Sequence, residues 1–225
     1  MVEKRPWTPS PPSPTSSNYF QSHPYAWAAP PTRSRLFQAS WSKDAPSPSR
    51  SPTRMAAFLW EEGYPSPHGQ GFDTVIDPRA RSSKEFAPQD FSFAHPSWNE
   101  RISSLAQQVA IQLGAASTRT ETETTLEARP YKLLFYGEGD HFLPHRDTEK
   151  ESGISNSSTG GALLVHHNSK DTCFDFGAST GMAGFQCHYA AHYADVEHKV
   201  QPVTSGHRLA VVYNIVWTSY TPTFF

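Results

Sequence analysis

Beyond residue 125 the chain is a succession of short apolar runs, at residues 131–136, 161–167, 173–176, 185–193 and 208–217, each broken off by Gly, Asn, Asp or Ser. Runs of this length are strand-sized, and too short for a helix to bury a face of its own. Several such strands bury their apolar sides by packing sheet on sheet, so a sandwich or jelly roll with a helix on one face is expected. The helix is visible just upstream. Ser97 and Glu100 have capping-box spacing, Ile102, Leu105, Val109 and Leu113 recur at three- and four-residue steps, and Gly114 falls where a C-cap belongs. Trp98 should anchor that helix, and residues 72–77 read as an edge strand. One folded unit is expected over 72–217, with a short tail at 218–225.

The other end of the chain has a different texture. Residues 1–54 are crowded with Pro, Ser, Thr and Arg and show no apolar period, which predicts a disordered tail, followed by a lead-in over 55–71. Its Ser-Pro and Thr-Pro pairs are phosphorylation candidates, and Trp7, Tyr19, Tyr25, Trp27 and Trp41 offer a short motif for a protein partner. Scattered arginines with only Glu3 and Asp44 as acids also give the segment a faint transit-peptide character. Nineteen basic residues against 21 acidic ones leave no basic excess for nucleic acid or an anionic membrane. Cys173 and Cys187 match neither a redox pair nor a zinc ribbon and are expected as buried small hydrophobes. With no membrane-length apolar stretch and no secretory signal, an intracellular protein of cytoplasm or nucleus is expected, organellar delivery being the alternative.

The sharpest chemical signal is Pro144-His145-Arg146-Asp147-Thr148. In extended backbone, residues two apart point to the same side, so His145 and Asp147 can grip one ion. A third ligand must come from elsewhere, and His198 stands 51 residues beyond Asp147 on another strand-like run. Two imidazoles and a carboxylate on one face of an ion form the facial triad of non-haem Fe(II) oxygenases, leaving positions open for cosubstrate and O2. Arg208 follows ten residues after His198 and opens an apolar strand, where a buried guanidinium needs an anion. The distal carboxylate of 2-oxoglutarate would supply one while its 2-oxo acid end chelates the metal. A salt bridge to Asp195 or Glu197 is the structural alternative.

Taken in order, residues 131–136, Gly139, Phe142, Pro144, His145, residues 147–150, Gly160-Gly161-Ala162-Leu163, residues 193–200, residues 202–206 and Arg208 through Asn214 resemble the prolyl-4-hydroxylase-like Fe(II)/2-oxoglutarate dioxygenases. The resemblance implies a double-stranded β-helix in which His145, Asp147 and His198 bind iron, Arg208 binds 2-oxoglutarate and Tyr136 lines its pocket. It further implies hydroxylation of a C–H bond, with succinate and CO2 as coproducts and O2 as second cosubstrate, and it leaves room for ascorbate. The substrate, a protein or a small molecule, is not named by any residue.

One stretch departs from that pattern. Where the family carries an apolar strand before the paired glycines, residues 148–159 are polar with a single aliphatic, Ile154, so a core strand is expected to be missing. A sheet edge would then stand open beside the cosubstrate pocket, which supports an impaired oxygenase acting as a binding or scaffold module. A cupin-like metal enzyme is a third reading, distinguished by having no need of Arg208. His188 and His192 have the spacing of a zinc helix but lie in a strand-like run, while His141 and His207 flank the presumed site. His166 and His167 are expected on opposite sides of one strand.

Overall fold

The computed structural model describes residues 26–27, 39–41, 52–93, 95–115, 125–147, 152–181 and 187–219. In chain order the elements begin with β1 (Ala26–Trp27), β2 (Ala39–Trp41), α1 (Pro52–Glu62), β3 (Tyr64–Pro65), β4 (His68–Gln70), β5 (Asp73–Val75), β6 (Lys84–Phe86), β7 (Phe91–Phe93) and α2 (Trp98–Gln112). Eight strands follow: β8 (Thr125–Tyr136), β9 (Phe142–His145), β10 (Ser152–Gly160), β11 (Leu163–His167), β12 (Lys170–Phe174), β13 (His188–His192), β14 (Glu197–Val200) and β15 (Val203–Ser219).

Those eight strands divide between two antiparallel sheets. The larger has the order β1-β13-β10-β15-β8-β6-β3 and the smaller β12-β11-β14-β9. This interleaving is a double-stranded β-helix, the jelly roll the sequence leads one to expect. Period-two alternation along β8 explains how the layers assemble. Leu134 and Tyr136 point inward to meet Phe142, Val165, Val200 and Val212 between the sheets, whereas Leu133 and Phe135 point outward to the helices. Ala56 and Leu59 of α1, with Trp98 and Ile102 of α2, close that outer layer.

The missing-strand expectation is corrected. Residues 152–160 form β10, which pairs with β13 on one side and β15 on the other. The alternation rule detects strands with an apolar face, and a Ser/Thr/Asn-rich run shows none. Backbone demand decides instead, because without β10 the facing edges of β13 and β15 would both lack partners. The sheet edge that supported the scaffold reading is therefore closed.

Helix α2 ends as expected and begins otherwise. Gly114 takes φ +71, its N–H donates to the Ile111 carbonyl at 3.0 Å, and that of Ala115 donates to Ala110 at 2.8 Å, a complete Schellman motif. Ser97 precedes the helix but its side chain caps nothing, so the capping box does not form. Trp98 does anchor the helix, stacking on Phe93 at 4.1 Å and donating its indole N–H to Tyr213 at 2.8 Å. The lead-in is part of the folded body, since α1 buries Leu59. Residues 73–75 pair only with β4, as a hairpin. Most of the tail expected over 1–54, and of that over 218–225, lies outside the described residues; within the first, β1 pairs with β13 and β2 with β7. Cys173 is exposed on the outer strand of the smaller sheet, contrary to the buried position expected, while Cys187 is half-buried. No helix among the described residues is long and apolar enough to cross a membrane.

Candidate metal centre and its pocket

Sheet register brings the distant ligand candidates together. His198 on β14 stands directly opposite His145 on β9. Asp147 comes just after β9 and is fixed by its backbone N–H, which donates to the Ala194 carbonyl at 2.9 Å. As a result, one side-chain ligand atom from each of His145, Asp147 and His198 lies within 4.8 Å of the others. Asp147 comes to 3.5 Å from His145 Nε2 and 3.2 Å from His198 Nε2.

The imidazoles are held in ligating orientation by the chain itself. Nδ1 of His145 lies 2.8 Å from the Leu143 carbonyl and Nδ1 of His198 lies 3.0 Å from that of Val196. A carbonyl only accepts, so each Nδ1 carries a proton, and in the neutral ring Nε2 is the nitrogen left to ligate. Burial favours the neutral form of His145 and pushes its pKa down to about 3. The contact with Asp147 is therefore that of a neutral ring beside a carboxylate. Burial pushes Asp147 upward, but the adjacent His198 and His145 outweigh it and hold the carboxyl below its usual range.

A pocket opens from this cluster, walled by Leu134, Leu163, Val200, Ala210 and Val212. Arg208 and Tyr136 line the same cavity. They are direct cross-strand partners, both buried, and the guanidinium carbon lies 5.4 Å from the Tyr136 ring centroid and 5.2 Å from that of Phe176. All five site residues named from the sequence thus lie in the ligand cluster or in the pocket that opens from it. Phe176, expected at the end of a strand, sits instead in a turn at φ +51, a conformation that costs a non-glycine residue and here sets its ring against Arg208.

Two further residues, which the sequence does not place there, line the pocket. His192, on β13, packs its ring 4.3 Å from that of His198, with burial lowering its pKa to about 4. The zinc-helix spacing with His188 becomes, on a strand, two residues on one face, and neither joins the ligand cluster. Arg81 lines the cavity from outside the eight-stranded core and is 5% exposed. Its neighbours Arg79-Ala80-Arg81-Ser82-Ser83 have no periodicity, so nothing marks it as buried. Of the flanking histidines, His141 lies within hydrogen-bonding distance of Ser82 and the Arg79 carbonyl, and His207 is exposed against Phe135. His166 is exposed and pairs with Asp171.

No family model matches the sequence, and no curated protein matches it. Among solved structures, the chain is similar to a prolyl-4-hydroxylase from Pseudomonas putida, at 14% identity and a TM-score of 0.42, over 73% of this chain and 82% of that one. It is similar to a Trichoplax adhaerens prolyl hydroxylase in complex with a hypoxia-inducible-factor peptide fragment, at 17% identity and a TM-score of 0.41, over 75% of each chain. A viral collagen prolyl hydroxylase from Paramecium bursaria Chlorella virus-1, in complex with 2OG, is similar at 11% identity and a TM-score of 0.34, over 61% of this chain and 79% of that one. Likeness this remote carries no argument about function, which rests on the sheet order and on the geometry of the ligand cluster.

Proposed function

We propose that the chain is an Fe(II)- and 2-oxoglutarate-dependent dioxygenase that hydroxylates a protein or small-molecule substrate. The observation that carries this reading is the convergence of His145, Asp147 and His198 on one point at the mouth of a pocket that also holds a buried arginine. The residues fit a metal ion. His145 Nε2 is buried without a hydrogen-bond partner, and a cation at the focus it shares with Asp147 and His198 would satisfy it. Two imidazoles and one carboxylate suit ferrous iron. When bound, iron and 2-oxoglutarate supply the oxidising chemistry, with O2 consumed and succinate and CO2 released.

The chain's own contribution is positional. The Nδ1 hydrogen bonds hold both rings to a single tautomer, so their ligand atoms need no reorganisation. Arg208 would take the distal carboxylate of 2-oxoglutarate in a bidentate pair, with Tyr136 beside it lining the same end. Aliphatic walls from both sheets keep water from the pocket and strengthen that pairing. Residues 72–217 with the helix before them would form the catalytic unit, and the aromatic-dotted segment before residue 54 would recruit a protein partner.

Anaerobic titration with Fe(II) and 2-oxoglutarate tests the reading. A charge-transfer band that is lost in His145→Ala and Asp147→Ala is expected; a folded protein giving no band would overturn it.

A further inference from the structure

Arg81 forms an isolated antiparallel bridge with Phe142 and is as buried as Arg208. Its Nε donates to Ser83 Oγ at 3.3 Å and its Nη1 to the Pro67 carbonyl at 2.7 Å. A guanidinium has five N–H donors, so three remain after these two bonds. Both partners are neutral, and among the described residues no carboxylate pairs with Arg81. Its guanidinium carbon lies 4.4 Å from the Phe142 ring centroid, and that ring stacks on His145 at 3.4 Å. The positive charge is therefore held against the His145 side of the cluster through the Phe142 ring.

A buried, incompletely paired guanidinium is costly unless an anion completes it. The cavity supplies the space, since Arg81, His145, His198 and Arg208 all line it. Counting charges then separates two ligands. 2-Oxoglutarate has two carboxylates; one chelates the metal and one pairs with Arg208. Arg81 is a second buried cation for which the cosubstrate has no third carboxylate. We propose that Arg81 binds a carboxylate of the molecule to be oxidised, so that the substrates of this pocket are carboxylic acids. The assignment to the oxidised molecule rests on the oxygenase reading; the anion site itself does not.

The test uses the full chain loaded with Mn(II) and saturating 2-oxoglutarate. N-acetylglycine, benzoate and phenylacetate, with the neutral amide of each, are titrated by calorimetry into the wild type, Arg81→Gln and Arg81→Lys. At least one acid should bind saturably while its amide does not. That affinity should fall by about tenfold or more in Arg81→Gln, as expected for a charge-assisted pair, and by less in Arg81→Lys. Affinity for 2-oxoglutarate should stay within about twofold in both variants. Overturning results are that no acid binds, that acid and amide bind alike, or that Arg81→Gln binds the acid unchanged. A tenfold loss of 2-oxoglutarate affinity in Arg81→Gln would make Arg81 a cosubstrate holder and likewise overturn the proposal. If 2-oxoglutarate binds none of the proteins while the acid preference still depends on Arg81, the anion site stands and the oxygenase reading fails. Should Arg81→Gln not fold, the same comparisons are made with Arg81→Lys, which keeps the charge and loses the fork.

Discussion

Arg208 and Tyr136 face each other across a single register position of β15 and β8, lining the pocket from the sheet opposite the one that carries His145 and His198. Removing one partner of a buried charged pair costs roughly 2–5 kcal/mol. Arg208→Met should therefore weaken 2-oxoglutarate binding by roughly 30-fold or more, while Mn(II) binding without cosubstrate changes by less than about threefold. Calorimetric titration of each ligand separately checks both halves.

His145→Ala, Asp147→Ala and His198→Ala should each abolish measurable metal binding. Losing a supporting hydrogen bond costs about 10- to 100-fold in metal affinity, and loss of a ligand should exceed that. Mn(II) titration read by electron spin resonance gives the comparison. Retained affinity in any one variant would remove that residue from the ligand set.

Acid should destabilise the metal-free protein in a defined window. Burial holds His145 at about 3 and His192 at about 4, each down from 6.5. Between those values the unfolded chain binds more protons than the folded one, so the stability these groups contribute is intact above pH 6.5 and is lost as pH falls towards 4 and below. Asp147, also lowered, acts in the same direction below its ordinary value of 3.8, whereas Asp140, raised by burial, opposes it. The discriminating quantity is thus the difference between wild type and His192→Asn in Tm from about pH 8 to about pH 4.5. The variant should show the shallower decline.

The hydrogen bond from Trp98 to Tyr213 ties α2 to the last strand. Tyr213→Phe leaves a buried indole N–H without its acceptor, at a cost of about 1–3 kcal/mol. Trp98→Ala removes the stacked ring as well and should cost about 3–5 kcal/mol. Urea unfolding of both variants orders them; equal losses would mean that stacking on Phe93 contributes little.

Gly160 and Gly139 separate backbone strain from crowding. Both have positive φ, +75 and +83, but a Cβ on Gly160 would lie 2.7 Å from the Pro202 carbonyl oxygen and the Thr204 nitrogen, whereas one on Gly139 meets nothing within 4 Å. Gly139→Ala should cost about 1–2 kcal/mol from conformation alone. Gly160→Ala should cost clearly more, because backbone on β15 must move aside, and thermal melts of the pair provide the measurement.

Legibility in the sequence depends on how each signal is written. The β8, β11 and β15 runs carry apolar residues on a buried face, and α2 carries them at helical spacing, so period alone exposes them. His145, Asp147, His198 and Arg208 are legible because their residue types and order are unusual together. β10 is hidden because its place in the sheet is secured by main-chain hydrogen bonds to two neighbours, to which side-chain polarity gives no clue. Arg81 and His192 are hidden for a different reason: each owes its role to a strand pairing or packing contact with residues distant in sequence, Phe142 and His198. Ser97 misleads in the opposite sense, its spacing fitting a capping box that its backbone, at φ −89 and ψ 13, does not form.

The position of β15 bears on how the chain can be assembled during synthesis. It is the last of the described strands in chain order, yet it lies between β8 and β10, hydrogen-bonded along both edges. Until residues 203–219 have emerged from the ribosome, β8 and β10 have no shared partner and the larger sheet exists only as separate halves. Residue 208, which lines the pocket, arrives on that same strand. Closure of the larger sheet and completion of the pocket should therefore coincide once this strand has emerged, with the earlier strands depending on chaperones or on their own polarity to stay apart from other chains until then.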